Sequence, residues 1–224
     1  MNKANPNRAL VVLSGGQDST TCLYWALQRY DEVCAITFDY GQRHRIELEC
    51  ASRIAAQAGI NHRILPLNSL AALGGNSLTD ADIAVTPGNP AEGALPNSFV
   101  PGRNLLFLTL AAAYAWQLGI RHLVTGVAQT DYSGYPDCRK ATLDALQQSL
   151  RLGMERDFEI HTPLMNLSKK ETVLLAQSLG ALDAMALTHT CYNGARPPCG
   201  ECPACVLRAR GFAEAGIADP LLAS

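Results

Sequence analysis

The chain has 224 residues, 48% of them apolar and 17% charged, enough for one sizeable core with an appendage and too apolar for a disordered tract or a coiled coil. Its 18 basic and 20 acidic side chains leave a net charge of −2, which offers no basic field for tracking nucleic acid. The longest apolar stretch, residues 105–116 with Thr109 inside it, falls short of the ~18–20 residues that a membrane helix needs. Residues 1–8 are polar and lead into a short apolar run that ends in Ser14-Gly15-Gly16. That is no signal-peptide pattern, so a cytoplasmic protein with reduced thiols is expected.

Residues 9–13 read as a buried parallel strand, and 19–28 carry a helix-length apolar pattern. Glu32–Asp39 (EVCAITFD) repeats the strand signal, 45–58 give a second helix closed by Gly59, and 62–67 a third strand. The alternation predicts an α/β, doubly wound parallel sheet with helices on both faces. Residues 74–102 break it with glycines and prolines, a length of loop that is usually functional, and they are expected to form a lid. A helix over 103–118, a strand over 121–125, a helix over 137–152 and a strand over 158–161 follow. Ser168-Lys169-Lys170-Glu171 has the form of a capping box ahead of an apolar stretch closed by Gly180.

Ser14-Gly15-Gly16-Gln17-Asp18-Ser19-Thr20 falls between the first strand and the first helix. Glycines there let the backbone approach a ligand, and a helix N-terminus presents unpaired N–H groups to an anion. Turn-forming residues alone would also suit an ordinary strand-to-helix turn, but the whole string in this place points to phosphate. It is neither a Walker A loop nor a dinucleotide fingerprint, because no Gly-Lys-Ser/Thr and no Gly-x-Gly-x-x-Gly is present.

This string resembles the SGGxDS signature of the PP-loop, or N-type, ATP pyrophosphatases, whose fold is of the adenine nucleotide alpha hydrolase type. The resemblance implies a loop that holds the pyrophosphate of ATP while the α-phosphate is attacked, so that AMP passes to a substrate oxygen. It implies nucleotide contacts from Leu13, Ser14, Gly15, Gly16, Gln17, Asp18, Ser19, Thr20, Thr21, Cys22 and Leu23, with Mg2+ near Asp18. The catalytic charges would be Asp18, Arg103 and Lys169, the last matching a Lys-x-Glu element that meets the phosphates from a helix start. Arg103 follows Pro101-Gly102 and opens a helix, where a guanidinium can hold phosphate or carboxylate through two bonds or simply be solvated.

Phe99-Val100-Pro101-Gly102-Arg103-Asn104, Asp131-Tyr132-Ser133-Gly134-Tyr135-Pro136-Asp137-Cys138-Arg139 and Cys191-Tyr192-Asn193-Gly194 are more selective. They resemble the 7-cyano-7-deazaguanine synthase family, over nearly the full chain and with the main departure at 74–96. The resemblance implies ATP-dependent conversion of 7-carboxy-7-deazaguanine and ammonia to the nitrile, by way of the amide, in queuosine biosynthesis. Residues 131–139 follow a strand whose C-terminal end opens on the crevice of such a sheet. Tyr132 and Tyr135 suit stacking on a flat ring, with Asp131 or Asp137 accepting its N–H groups, although the same residues are common turn formers. Small-molecule partners are expected, with no nucleic acid and no membrane, and a homodimer is left open. His44 is divided between general base, nucleotide contact and loop packing; His62, His122, His161 and His189 have no stronger assignment.

Of eight cysteines, Cys22, Cys34 and Cys50 sit in apolar patterns and read as small buried hydrophobes. Cys191, Cys199, Cys202 and Cys205 crowd together, among Gly194, Pro197, Pro198, Gly200 and Pro203, which are expected to keep the backbone out of a helix. Four thiolates leave no open coordination position, which suits one structural zinc per chain. An iron–sulfur cluster is the alternative from spacing, and the family resemblance implies zinc. The expected layout is a PP-loop ATP pyrophosphatase domain over 1–185 and a C-terminal zinc-binding segment over 186–224. The rival readings are a PP-loop tRNA thiolase with an iron–sulfur cluster, which would need a broad basic face, and a non-catalytic zinc-containing nucleotide-binding protein.

Overall fold

The computed structural model describes residues 7–87, 94–129 and 135–222. Five strands, β1 (Arg8–Val12), β2 (Glu32–Asp39), β3 (Asn61–Pro66), β4 (His122–Val124) and β5 (Glu159–His161), form one sheet in the order β3-β2-β1-β4-β5. Every neighbouring pair is parallel. The chain winds outward from β1 to β3 and then crosses back to β4 on the other side of β1. That reversal leaves a crevice beyond the carboxyl ends of β1 and β4, where ligands bind in open α/β sheets.

The strand period of two divides the core between two faces. Ala9, Val11 and Leu13 pack with Cys22, Leu23 and Ala26 of α1 (Gln17–Leu27) and with Ala51, Ile54 and Ala55 of α2 (Ile46–Gln57). Leu10, Ile36 and Phe38 face Ala111, Ala112 and Ala115 of α4 (Arg103–Leu118), with Leu150 of α5 (Lys140–Met154) and Phe158. The doubly wound expectation therefore holds, with small alanines letting α4 lie close to the sheet. No helix among the described residues is long and apolar enough to cross a membrane.

Three local expectations are corrected. The helix expected over 137–152 is a 3-10 turn, Pro136–Cys138, then α5, because Arg139 is extended (φ −72°, ψ 143°) and starts the helix afresh. The described parts of the expected lid are not free. After α3 (Asn68–Leu73), buried Leu78 and Val100 pack on Tyr40 and Leu70, and Ser77 N–H donates to Asn97 O at 2.9 Å. Arg43 Nη2 also reaches the carbonyls of Asp80, Ala81 and Ile83 at 2.9, 3.0 and 2.9 Å.

The third correction concerns Pro203, which does not exclude a helix but begins one, α8 (Pro203–Ala215), at the position where a missing N–H costs nothing. Cys202 is its N-cap, and Cys205 lies within its first turn. α6 (Lys169–Ser178) opens with the expected capping box between Ser168 and Glu171. α6, α7 (Leu182–Met185) and α8 share a cluster of Val173, Ala176, Met185 and Phe212.

Candidate active site

A cavity of about 250 Å³ opens at the carboxyl ends of β1, β2 and β4, lined among others by Ser14, Gln17, Asp18, Thr37, Tyr40, His44, Arg103, Gly126, Tyr135, Lys169, His189 and Tyr192. Its floor is the loop after β1. Ser14 N–H donates to Ser19 Oγ at 3.1 Å, and Gly16 N–H donates to Ser14 Oγ at 3.3 Å. Ser19 Oγ and Thr20 Oγ1 donate to Gly16 O at 3.1 and 2.8 Å. The hydroxyls thus tie the turn to itself, and no side chain caps α1. An uncapped helix N-terminus facing a cavity is a site for an anion.

Two glycines make this approach possible. Gly15 has φ +88°, and a Cβ there would lie 2.3 Å from Glu47 O and 2.8 Å from Ala51 N, so α2 packs directly beneath the loop. Gly126, just past β4, would place a Cβ 2.9 Å from both Asp18 C and Ser19 N. Residues 20–23 turn away from the cavity: the Thr20 and Thr21 hydroxyls bond back into α1, and Cys22 and Leu23 enter the core.

The three expected catalytic charges come to one cavity. Lys169 Nζ meets Asp18 Oδ2 at 2.6 Å, while Asp18 Oδ1 is buried without a partner. Arg103 Nη1 donates to Tyr40 Oη at 3.2 Å, and Tyr135 and Tyr192 line the same cavity. Burial raises the pKa values of all three phenols, which therefore stay neutral. Ser98 Oγ and Tyr135 Oη are 2.8 Å apart, within hydrogen-bond reach.

Asp137 does not line the cavity: it is buried, and its Oδ2 accepts Asn104 N–H at 3.0 Å, capping the start of α4. Asp131 and Tyr132 lie outside the described residues. The buried His44 has Nε2 at 3.3 Å from Glu47 Oε2 and an Nδ1 with no partner. Gln17 Nε2 is likewise buried and unpartnered. Glu47 and Gly126 were missed in the sequence, and Tyr192 was quoted there only as part of the Cys191-Tyr192-Asn193-Gly194 string, with no role; for Gly126, a glycine just after a strand at the reversal of the sheet was the available signal.

The cysteine segment adjoins this cavity. Sγ atoms of Cys191, Cys199, Cys202 and Cys205 all lie within 4.8 Å of one another, and those of Cys199 and Cys205 are 4.0 Å apart. Four sulfurs at ~2.3 Å from a tetrahedral ion would be about 3.8 Å apart, so the set fits one metal ion. Backbone N–H groups of Cys199 and Cys202 point at Cys191 Sγ and Cys199 Sγ at 3.5 and 3.4 Å, ready to stabilise thiolates. The hydrogen bond from Cys205 lowers the pKa of the Cys202 thiol. His189 N–H donates to Gly15 O at 3.0 Å, and its Nε2 donates to Cys191 O at 3.1 Å. The cysteine segment is thereby tied to the phosphate loop.

A family profile described as "Queuosine biosynthesis protein QueC" matches residues 8–216. The 7-cyano-7-deazaguanine synthase of Chromobacterium violaceum is 66% identical over 224 residues, 99% of this chain and 96% of that protein. That of Laribacter hongkongensis is 66% identical over 218 residues, covering 97% and 95%. A Clostridium botulinum protein of the same name is 54% identical over 212 residues, covering 94% and 96%.

Proposed function

The chain belongs to the QueC family of queuosine biosynthesis proteins, and from that premise we propose that its cavity converts 7-carboxy-7-deazaguanine, ammonia and ATP to 7-cyano-7-deazaguanine. A carboxylate oxygen leaves badly. Transfer of AMP to it, with release of pyrophosphate, lets ammonia displace AMP and form the amide. A second ATP adenylates the amide oxygen, and loss of AMP with the remaining N–H protons leaves the nitrile. The observation that carries the reading is the uncapped N-terminus of α1 facing a cavity lined by Lys169 and Arg103.

In this reading Ser14, Gly16, Gln17, Asp18 and Ser19 hold the phosphates, and Lys169 and Arg103 offset the charge that builds up on them. Asp18 Oδ1, buried and unpartnered, is the atom that would hold the Mg2+ accompanying ATP, an ion that neutralises phosphate charge. His44 takes the proton shed by ammonia. With Nε2–H directed at Glu47, its unpartnered Nδ1 keeps a lone pair for that purpose. Tyr135 remains as an aromatic surface for the ring, and the substrate is taken as the free base.

Cys191, Cys199, Cys202 and Cys205 would hold one zinc, in a closed shell that suits a structural role. Four cysteines as zinc thiolates and the other four as thiols favour a reducing, cytoplasmic setting, and the layout of 1–185 with an appended 186–224 is retained. Incubation with substrate, ammonia and ATP tests the chemistry. AMP and pyrophosphate are expected as the nucleotide products, and ADP with phosphate as the main products would overturn it.

A further inference from the structure

Beyond that reaction, we propose that His122, Glu159 and His161 form a second metal site, for a first-row divalent ion such as Zn2+, Ni2+ or Co2+, on the β4–β5 edge of the sheet. None of the three lines the cavity. The register pairs His122 with Glu159 across neighbouring parallel strands, so both project from one face. His161 stands two residues beyond Glu159 and projects from the same face.

The separations are those of ligands around a common centre. His122 Nδ1 lies 3.1 Å from His161 Nε2 and 3.2 Å from Glu159 Oε2, and His161 Nε2 lies 3.8 Å from Glu159 Oε2. Two atoms each bound at ~2.0–2.2 Å, at angles between octahedral and tetrahedral, stand about 2.9–3.6 Å apart. Two of the three distances fall in that range, and the Glu159 side chain, 52% exposed, can turn to shorten the third. Tyr30 Oη lies 3.0 Å from His161 Nε2, a hydrogen bond that the ion would replace. Rings of Trp25 and Tyr30 pack at 5.7 and 6.1 Å from His161, and Tyr30 at 5.1 Å from His122, which fixes the imidazoles. Two imidazoles and one carboxylate suit zinc, nickel or cobalt rather than the all-oxygen shells of calcium and magnesium.

A charged neighbour also opposes the ion. Arg121 Nε donates to His122 Nε2 at 3.1 Å, so in the metal-free protein neutral His122 carries its proton on Nδ1. Binding through Nδ1 moves that proton to Nε2 and turns the exposed Arg121 into solvent. Removing Arg121 should therefore tighten the site, whereas a cluster that serves only as a hydrogen-bond network gives no such gain.

The test uses the full chain with its cysteine site filled by zinc, titrated with Co2+ and followed by absorption. Nitrogen and oxygen ligands give a ligand-field band without the sulfur-to-cobalt charge transfer that entry into the cysteine site would produce. One equivalent is expected to bind in this way. Affinity should fall roughly 10- to 100-fold in His161→Ala and Glu159→Gln and rise about 10-fold in Arg121→Ala. Glu159→Gln, at a half-exposed position, keeps the test valid if His161→Ala fails to fold. The absence of the band, its appearance only with sulfur charge transfer, or an unchanged titration in Glu159→Gln overturns the proposal.

Discussion

Gly126 has no side chain, and the phosphate loop occupies the space where one would be. A methyl group there would sit 2.9 Å from Asp18 C and Ser19 N, and backbone cannot yield as a flexible side chain can. Gly126→Ala should cost about 1–3 kcal/mol of stability and raise the KM for ATP, as read by urea unfolding and steady-state kinetics; wild-type values for both would contradict the close packing. Lys169 makes the opposite case. It pairs with Asp18 at the cavity, with side chains 15% and 28% exposed. Lys169→Met should lower turnover ~100-fold or more while changing stability by about 1 kcal/mol or less. A matching collapse of stability would make the pair structural. Both charges were legible in the sequence through the family resemblance of the strings that hold them, the one around Asp18 and the Lys-x-Glu element at Lys169. His44 was less so, since an unpartnered buried nitrogen is a property of the packed fold and not of the residue type.

At the scale of elements, the capping box of α6 could be read directly, since Ser168 and Glu171 satisfy each other within one turn. The start of α8 could not. Pro203 suits either a helix start or a helix break, and Phe212, packed against Val173 and Met185, is what makes the helix worthwhile. Residues 74–102 were legible as loop from their composition, but not their anchoring: Leu78, Val100 and the Arg43 contacts pin the described parts to the body. The cysteine segment now has a testable link to the chemistry. Because His189 joins Gly15 to Cys191 and Tyr192 lines the cavity, removing the metal should disturb the site as well as the segment. Cys202→Ser is expected to release the zinc, lower the melting temperature and lower turnover together. A zinc-free Cys202→Ser protein with wild-type turnover would break that link.

Over the whole molecule, a parallel sheet with helices on both faces followed from the alternation of strands and helices, but its strand order β3-β2-β1-β4-β5 did not. The pairing of His122 with Glu159 did not, since a register appears only once two strands distant in sequence meet. The buried histidines also set an acid limit on the fold. Burial lowers His62, His122, His161 and His189, so below about pH 6.5 the unfolded chain binds protons that the folded chain does not. Stability is therefore complete above that value and declines as pH falls toward the lowered folded-state values. A urea midpoint clearly lower at about pH 5.5 than at pH 7.5 is expected, and an equal midpoint would show that these groups do not differ between the two states.

In the proposed reaction AMP passes to the oxygen of the substrate carboxylate, and then to that of the amide. Substrate labelled with 18O in both carboxylate oxygens follows those atoms directly by mass spectrometry. Label is expected in the AMP released at each step, with none in pyrophosphate and none in the nitrile. Unlabelled AMP, or label recovered in phosphate or pyrophosphate, would contradict the account.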